Sequence, residues 1–132
     1  MELVKYNGNL KSELFCFTTE CFAELGKSFE PYGRHSFYNE IDNYFERFWC
    51  LVDEDKVKGT VAIARLDDIT VELKALYLDS PLRGFGWGYG RQILLWALEN
   101  INSKRIILRV AAWNKRAISL YEKNGFEIVG KA

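Results

Sequence analysis

Arg83-Gly84-Phe85-Gly86-Trp87-Gly88-Tyr89-Gly90-Arg91 is the stretch on which the reading of this chain turns. Four glycines alternate with bulkier residues between a strand-like apolar segment and one with helical spacing. Glycine admits backbone angles closed to other residues and lets main-chain amides come close to a ligand. The start of a helix points free N–H groups and a partial positive charge outward. Together they make an anion site, most naturally for a pyrophosphate, with Arg83 and Arg91 adding fixed charge at its edges. Two familiar phosphate loops are excluded by spacing. A P-loop ends in Gly-Lys-Ser/Thr, which is absent. A dinucleotide fingerprint needs glycines at its first, third and sixth positions. Counting from Gly84, Gly86 or Gly88, the sixth residue is Tyr89, Arg91 or Ile93.

Upstream of the loop, Phe48 to Val52, Val57 to Leu66 and Ile69 to Leu78 read as three strands. The acidic turns Asp53-Glu54-Asp55-Lys56 and Asp67-Asp68 separate them, which gives an antiparallel meander. Strict alternation in the third strand would put Val71, Leu73, Ala75 and Tyr77 on one face and Glu72, Lys74, Leu76 and Leu78 on the other. Earlier still, Met1 to Tyr6 reads as an edge strand. Asn9 is a candidate cap for a helix on which Leu10, Leu14, Phe17, Cys21 and Leu25 share a face, with Gly26 as its stop. After the turn Pro31-Tyr32-Gly33, Ser36 is a candidate cap for a second helix carrying Phe37, Ile41, Phe45 and Phe48.

Downstream, Ile93, Leu94, Ala97 and Ile101 mark a helix, and Arg105 to Val110 a continuous apolar strand suited to a sheet interior. Asn114 can cap a last helix bearing Ala117, Leu120 and Tyr121, which Gly125 ends before a final strand, Phe126 to Val129. Strand, helix, strand, helix, strand implies parallel pairing with right-handed crossovers. The expected fold class is therefore α/β in the broad sense, an α+β mixed sheet flanked by helices, in one domain over residues 1–132.

Composition agrees with a globular enzyme-sized domain and excludes several other classes. Apolar residues make up 48% of the 132, too many for a disordered chain. Eighteen basic residues balance 18 acidic ones, so the charge offers nothing to nucleic acid. Cys16, Cys21 and Cys50 fit no common zinc or redox spacing and read as buried reduced thiols; no metal is expected. No apolar run approaches a membrane span, and the N-terminus lacks a signal-peptide core, so the expectation is a cytoplasmic protein without a membrane partner.

The segment Arg83-Gly84-Phe85-Gly86-Trp87-Gly88 resembles the Arg/Gln-x-x-Gly-x-Gly/Ala signature of the GCN5-related N-acetyltransferases. Glu72 to Leu78 looks like that family's fourth strand. Leu108-Arg109-Val110, Asn114, Ala117, Leu120-Tyr121-Glu122-Lys123 and Gly125-Phe126 resemble its second block. The resemblance is strong over residues 69–130. It implies the acyl-CoA N-acyltransferase fold, a mostly antiparallel sheet with a parallel, V-shaped splay, and transfer of an acetyl group from acetyl-CoA to a primary amine. It implies a pantetheine arm along the backbone of Leu76, Tyr77 and Leu78, a pyrophosphate on the amides of Gly84, Phe85, Gly86, Trp87 and Gly88 beside Arg83, and a bond from Asn114 to the cofactor. Two departures stand out. Tyr89-Gly90-Arg91-Gln92 precede Ile93-Leu94 as if two residues were added, so a register on Gly88 and Gly90 is open. The family continues to a seventh strand, and here the chain stops at Ala132. A short or missing last strand, truncation, or completion by a second copy in a homodimer are the readings of that stop.

Amide formation from a thioester needs a neutral amine, stabilisation of the carbonyl oxygen, here by a backbone amide near Leu78, and a proton for the departing thiolate. The resemblance makes Tyr121 the candidate acid; a core tyrosine beside Ala117 and Leu120 is the alternative. Glu72 is the candidate base, directly or through water; the alternatives are a solvated carboxylate or a partner for Lys74 or Arg109. His35 and Cys50 are weaker candidates for proton acceptor and nucleophile. Lys115, Arg116 and Lys123 suit either the CoA 3′-phosphate or a solvated helix face. Phe29, Tyr32, Phe37, Tyr38, Tyr44 and Phe45 surround the expected acceptor end. A non-catalytic acyl-CoA-binding or interaction module is the competing reading, separable from the enzyme by acetyl-CoA titration and thiol release.

Overall fold

The computed structural model describes residues 1–83 and 88–130. Its strands are β1 (Glu2–Lys5), β2 (Arg47–Asp53), β3 (Lys56–Arg65), β4 (Thr70–Leu78) and β5 (Arg105–Leu108). They form one mixed sheet in the order β1-β2-β3-β4-β5; the first three pairings are antiparallel and β4–β5 is parallel. The helices are α1 (Lys11–Glu24), the single turn α2 (Ile41–Tyr44), α3 (Tyr89–Glu99) and α4 (Lys115–Lys123). The meander, the parallel pairing across α3 and the flanking helices match the expected mixed fold.

Alternation in β2 and β3 divides the core in two. Phe48, Cys50, Ala62 and Ala64 face α1, where they meet Leu14, Phe17 and Cys21. Trp49, Leu51, Val61 and Ile63 face the other way and meet Ile93, Leu94 and Ala97 of α3. Leu14 and Leu94 are fully buried. A leucine withdrawn from water contributes about 2 kcal/mol, so each helix is held by a few such anchors rather than by its own propensity. At Gly59 in β3 an added Cβ would lie 3.1 Å from the Leu78 side chain and 3.2 Å from the Tyr77 carbonyl oxygen. Only a glycine lets β3 run that close beneath the end of β4.

The structure corrects several expectations. Asn7, not Asn9, supplies the first cap: its Oδ1 accepts from the Asn9 N–H at 2.9 Å and closes a 3₁₀ turn, after which α1 begins at Lys11. Gly26 does end α1, at φ +72°, but Leu25 is exposed and Cys16 lies on the solvent side. The second helix is broken into a 3₁₀ turn, Ser36–Asn39, and the short α2. The main chain around it is satisfied by side chains instead of a helical ladder: Asn39 Nδ2 donates to the Pro31 carbonyl at 2.7 Å and His35 Nδ1 accepts from the Glu30 N–H at 2.9 Å. The apolar spacing there reports burial of Tyr38, Ile41, Phe45 and Phe48, not a continuous helix.

The alternation in β4 also fails. Ala75 sits at φ +52° and the β3–β4 register slips between Thr60 and Ala62, which marks a bulge. Beyond it the faces exchange: Leu76 and Leu78 join Val71 and Leu73 on the α3 side, while Ala75 and Tyr77 pack on the α1 side. Finally, β5 stops at Leu108, short of Val110, and residues 126–129 form no strand. Ile128 and Val129 are exposed, and no described strand lies beside them to make a ladder.

Candidate active site

The bulge builds the site. Parallel β4 and β5 stay in register from Thr70–Arg105 to Leu73–Leu108, and there the ladder ends. Ala75 turns the remainder of β4 away, and Thr60 Oγ1 holds that turn by donating to the Ala75 carbonyl at 2.6 Å. Between the diverging ends lies a cleft of about 480 Å³. Its walls are Leu76, Tyr77 and Leu78 on one side and Leu108 to Ala111 on the other, with Asn114 and Tyr121 of the α4 region closing it. Past Leu73 no strand among the described residues continues the ladder on this side of β4, so a ligand can take the place of a strand.

Of the candidate residues, Leu76, Tyr77, Leu78, Arg83, Asn114, Tyr121 and Glu72 all line this one cleft. Gly84, Phe85, Gly86 and Trp87 lie outside the described residues. Gly88 stands at the start of α3 at φ +66°, a conformation that favours glycine, and its carbonyl accepts from the Gln92 N–H at 2.9 Å. Asn114 caps α4 as expected, Oδ1 accepting from the Ala117 N–H at 3.2 Å. Arg83 is committed within the protein: Nε donates to the Leu78 carbonyl at 2.9 Å, and Nη2 pairs with Glu24 at the end of α1.

Tyr121 lies half-buried against the α3-side core, with the Phe126 ring edge-on at 6.0 Å. Burial pushes its phenol above the ordinary value, and nearby Tyr77 adds to the shift. Tyr77 is raised by its own burial. The group closing the cleft is therefore a phenol that keeps its proton at neutral pH.

Glu72 is not a solvated strand carboxylate. Its side chain is 5% exposed, and Arg109 Nη1 donates to both oxygens, at 3.1 and 2.9 Å. Lys74 Nζ lies 3.9 Å away and also 5.6 Å from the centre of the Tyr44 ring. The parallel register explains the pairing. Glu72 stands opposite Ile107, so Arg109, two residues on, returns to the same face.

The other candidates resolve structurally. His35 packs against Phe22, Phe29 and Phe37 and uses Nδ1 to hold the loop. Cys50 is fully buried and its thiol is pushed up to about 12, no state for a nucleophile. Among the aromatic set, Phe37, Tyr38 and Phe45 reach the cleft wall, whereas Tyr32 is 92% exposed. The sequence reading missed the end of α1: Cys21, Phe22, Glu24, Leu25 and Lys27 also line the cleft. Nothing local signals this, because Glu24 meets Arg83 across 59 residues. Arg109 carried a usable signal, a cation inside an otherwise apolar strand.

Comparison with known proteins agrees with this geometry. A profile of the acetyltransferase (GNAT) family matches residues 13–126. An N-acetylaspartate synthetase from Danio rerio is 35% identical over 105 residues, covering 74% of this chain and 37% of that protein. The Homo sapiens protein of the same name is 34% identical over 104 residues, covering 73% and 34%. The chain thus spans about a third of the length of these curated relatives. An acetyltransferase structure from Streptococcus agalactiae superposes with a TM-score of 0.79 at 25% identity, covering 98% of this chain and 85% of that one. AAC(6')-Iy, solved with the bisubstrate analog CoA-S-monomethyl-acetylneamine, has the same fold at a TM-score of 0.72 and 8% identity, over 99% and 93% of the two chains.

Proposed function

Because the chain belongs to the acetyltransferase (GNAT) family, we propose that it is an N-acetyltransferase that moves the acetyl group of acetyl-CoA to the primary amine of a small amino acid, by direct attack while both substrates are bound. The observation that carries this reading is the end of the β4–β5 ladder at Leu73–Leu108, with the cleft beyond it closed by a protonated phenol. The name shared by the curated relatives supports an amino acid as the amine.

The residues present suit acetyl-CoA. The edge of Leu76 and Tyr77, which no described strand covers, offers main-chain groups to a pantetheine arm beside Leu78, whose carbonyl Arg83 holds, and an apolar floor lies beneath it. The amine nitrogen attacks the thioester carbon, the C–S bond breaks, and the Tyr121 hydroxyl gives its proton to the sulfur. The amine's proton passes to Glu72, directly or through water. A backbone amide near Leu78 steadies the carbonyl oxygen as it gains charge. Asn114, its Oδ1 engaged by α4, offers its amide N–H groups to the cofactor.

The test is thiol release from acetyl-CoA over a panel of amines, beside calorimetric titration of acetyl-CoA. Binding together with amine-dependent thiol release supports the reading. Binding without thiol release from any amine overturns it in favour of a non-catalytic acyl-CoA module.

A further inference from the structure

The cleft is cationic although the chain is neutral. Four basic side chains, Lys27, Lys74, Arg83 and Arg109, line it against two carboxylates, Glu24 and Glu72. Arg83 and Glu24 pair at the α1 end. Around Glu72, where β4 and β5 part, two cations face one acid.

The Arg109–Glu72 pair is asymmetric. Glu72 is buried and takes both its contacts with Arg109 from a single nitrogen, Nη1. Among the described residues, no acceptor meets the Nη2 and Nε edge of that guanidinium, and the Arg109 side chain is 69% exposed. A guanidinium is a planar fork that meets a carboxylate through two parallel N–H bonds. One corner is fixed on a buried acid, and the guanidinium itself lines the cleft. Lys74, between Glu72 and the Tyr44 ring, adds a second cation beside it. A polycationic amine would be repelled here, and an acid attracted.

We propose that Arg109, assisted by Lys74, is the specificity determinant of the acceptor side: it receives a carboxylate on the side chain of the incoming amine and so selects acidic amino acids over their neutral counterparts. This rests on the amine-acetylating reading above. A carboxylate on the free edge of Arg109 brings the rest of the molecule beside Glu72, on the same face of the sheet. Glu72 then has two roles, orienting the fork and meeting the amine.

The experiment measures kcat/KM by thiol release for L-aspartate against L-asparagine, L-glutamate against L-glutamine, and spermidine, with acetyl-CoA saturating. The expected result is an acid-over-amide preference of about 10- to 100-fold for at least one pair, the range of a charge-assisted hydrogen bond, and weak use of spermidine. Arg109→Gln should bring that ratio close to one. Arg109→Lys, which keeps the charge without the fork, should leave an intermediate ratio. Because Arg109→Gln strands a buried carboxylate, a thermal melt accompanies each variant, and Arg109→Lys, which keeps a cation beside Glu72, is the variant expected to stay folded. A general loss of structure lowers acid and amide alike and leaves the ratio standing. A ratio unchanged in both Arg109 variants, or a wild-type preference for amides or spermidine, overturns the proposal and leaves acetyl transfer intact. No thiol release from any amine removes the reading beneath it as well.

Discussion

The two halves of β4 do different work with one run of residues. From Val71 to Leu73 the strand is paired on both sides and buried. From Lys74 to Leu78 it keeps β3 but leaves β5, and every residue is only half-buried. One alanine at a positive φ, Ala75, lies just past the boundary between them. The difference teaches how a sheet acquires a binding edge without exposing a strand end: a local slip redirects part of an interior strand while its other neighbour still anchors it.

Substitutions on either side of Ala75 should therefore fail in different ways. Leu73→Ala, in the doubly paired half, should cost about 3 kcal/mol, read as the shift of the urea midpoint. Leu76→Ala should cost roughly half as much in stability and instead weaken acetyl-CoA binding in calorimetry. Equal stability costs with unchanged affinity would erase the distinction between the halves.

At the far wall of the splay, Tyr121→Phe should lower kcat by roughly 100-fold while leaving acetyl-CoA affinity close to that of the wild type. The Tyr121 phenol is raised, so the acid form persists beyond the ordinary tyrosine range. The alkaline fall of wild-type kcat should begin only as pH rises through that raised value, and this limb, assigned to Tyr121, should vanish in the variant. A pH–rate profile with the same alkaline limb in both proteins removes Tyr121 from the proton path. The smallest expected effect concerns the pin itself. Thr60→Val removes the hydroxyl that bonds the Ala75 carbonyl and should destabilise the fold by about 1–2 kcal/mol. It should also raise the KM for acetyl-CoA, because the splayed half loses its hold on β3. Stability loss without any change in KM would mean that the bulge stands without that bond.

Much of this was legible in the sequence, because the relevant signals are local. The acidic turns bounded β2, β3 and β4 to within a residue or so, Asn114 declared α4, and Gly26 marked the end of α1. Tyr121 and Glu72 were singled out and do meet in one cleft. What escaped depends on partners distant in sequence. Alternation predicted Leu76 on the Glu72 face, and only the slip against β3 moves it. The spacing of Phe37, Ile41, Phe45 and Phe48 is helical, but bonds from Asn39 and His35 to the loop replaced the helix. Residues 126–129 have strand-like chemistry, and a strand exists only where a neighbour supplies the other half of its hydrogen bonds.

The tie between Glu24 and Arg83 has a consequence of its own. It moors the first residue of the glycine-rich segment to the last turn of a helix laid down near the N-terminus, while a second bond moors it to the tip of β4. Whatever frays the end of α1 thereby loosens the tip of β4, so a change at Glu24 would register in the cleft wall at Leu78, far along the chain from its own position.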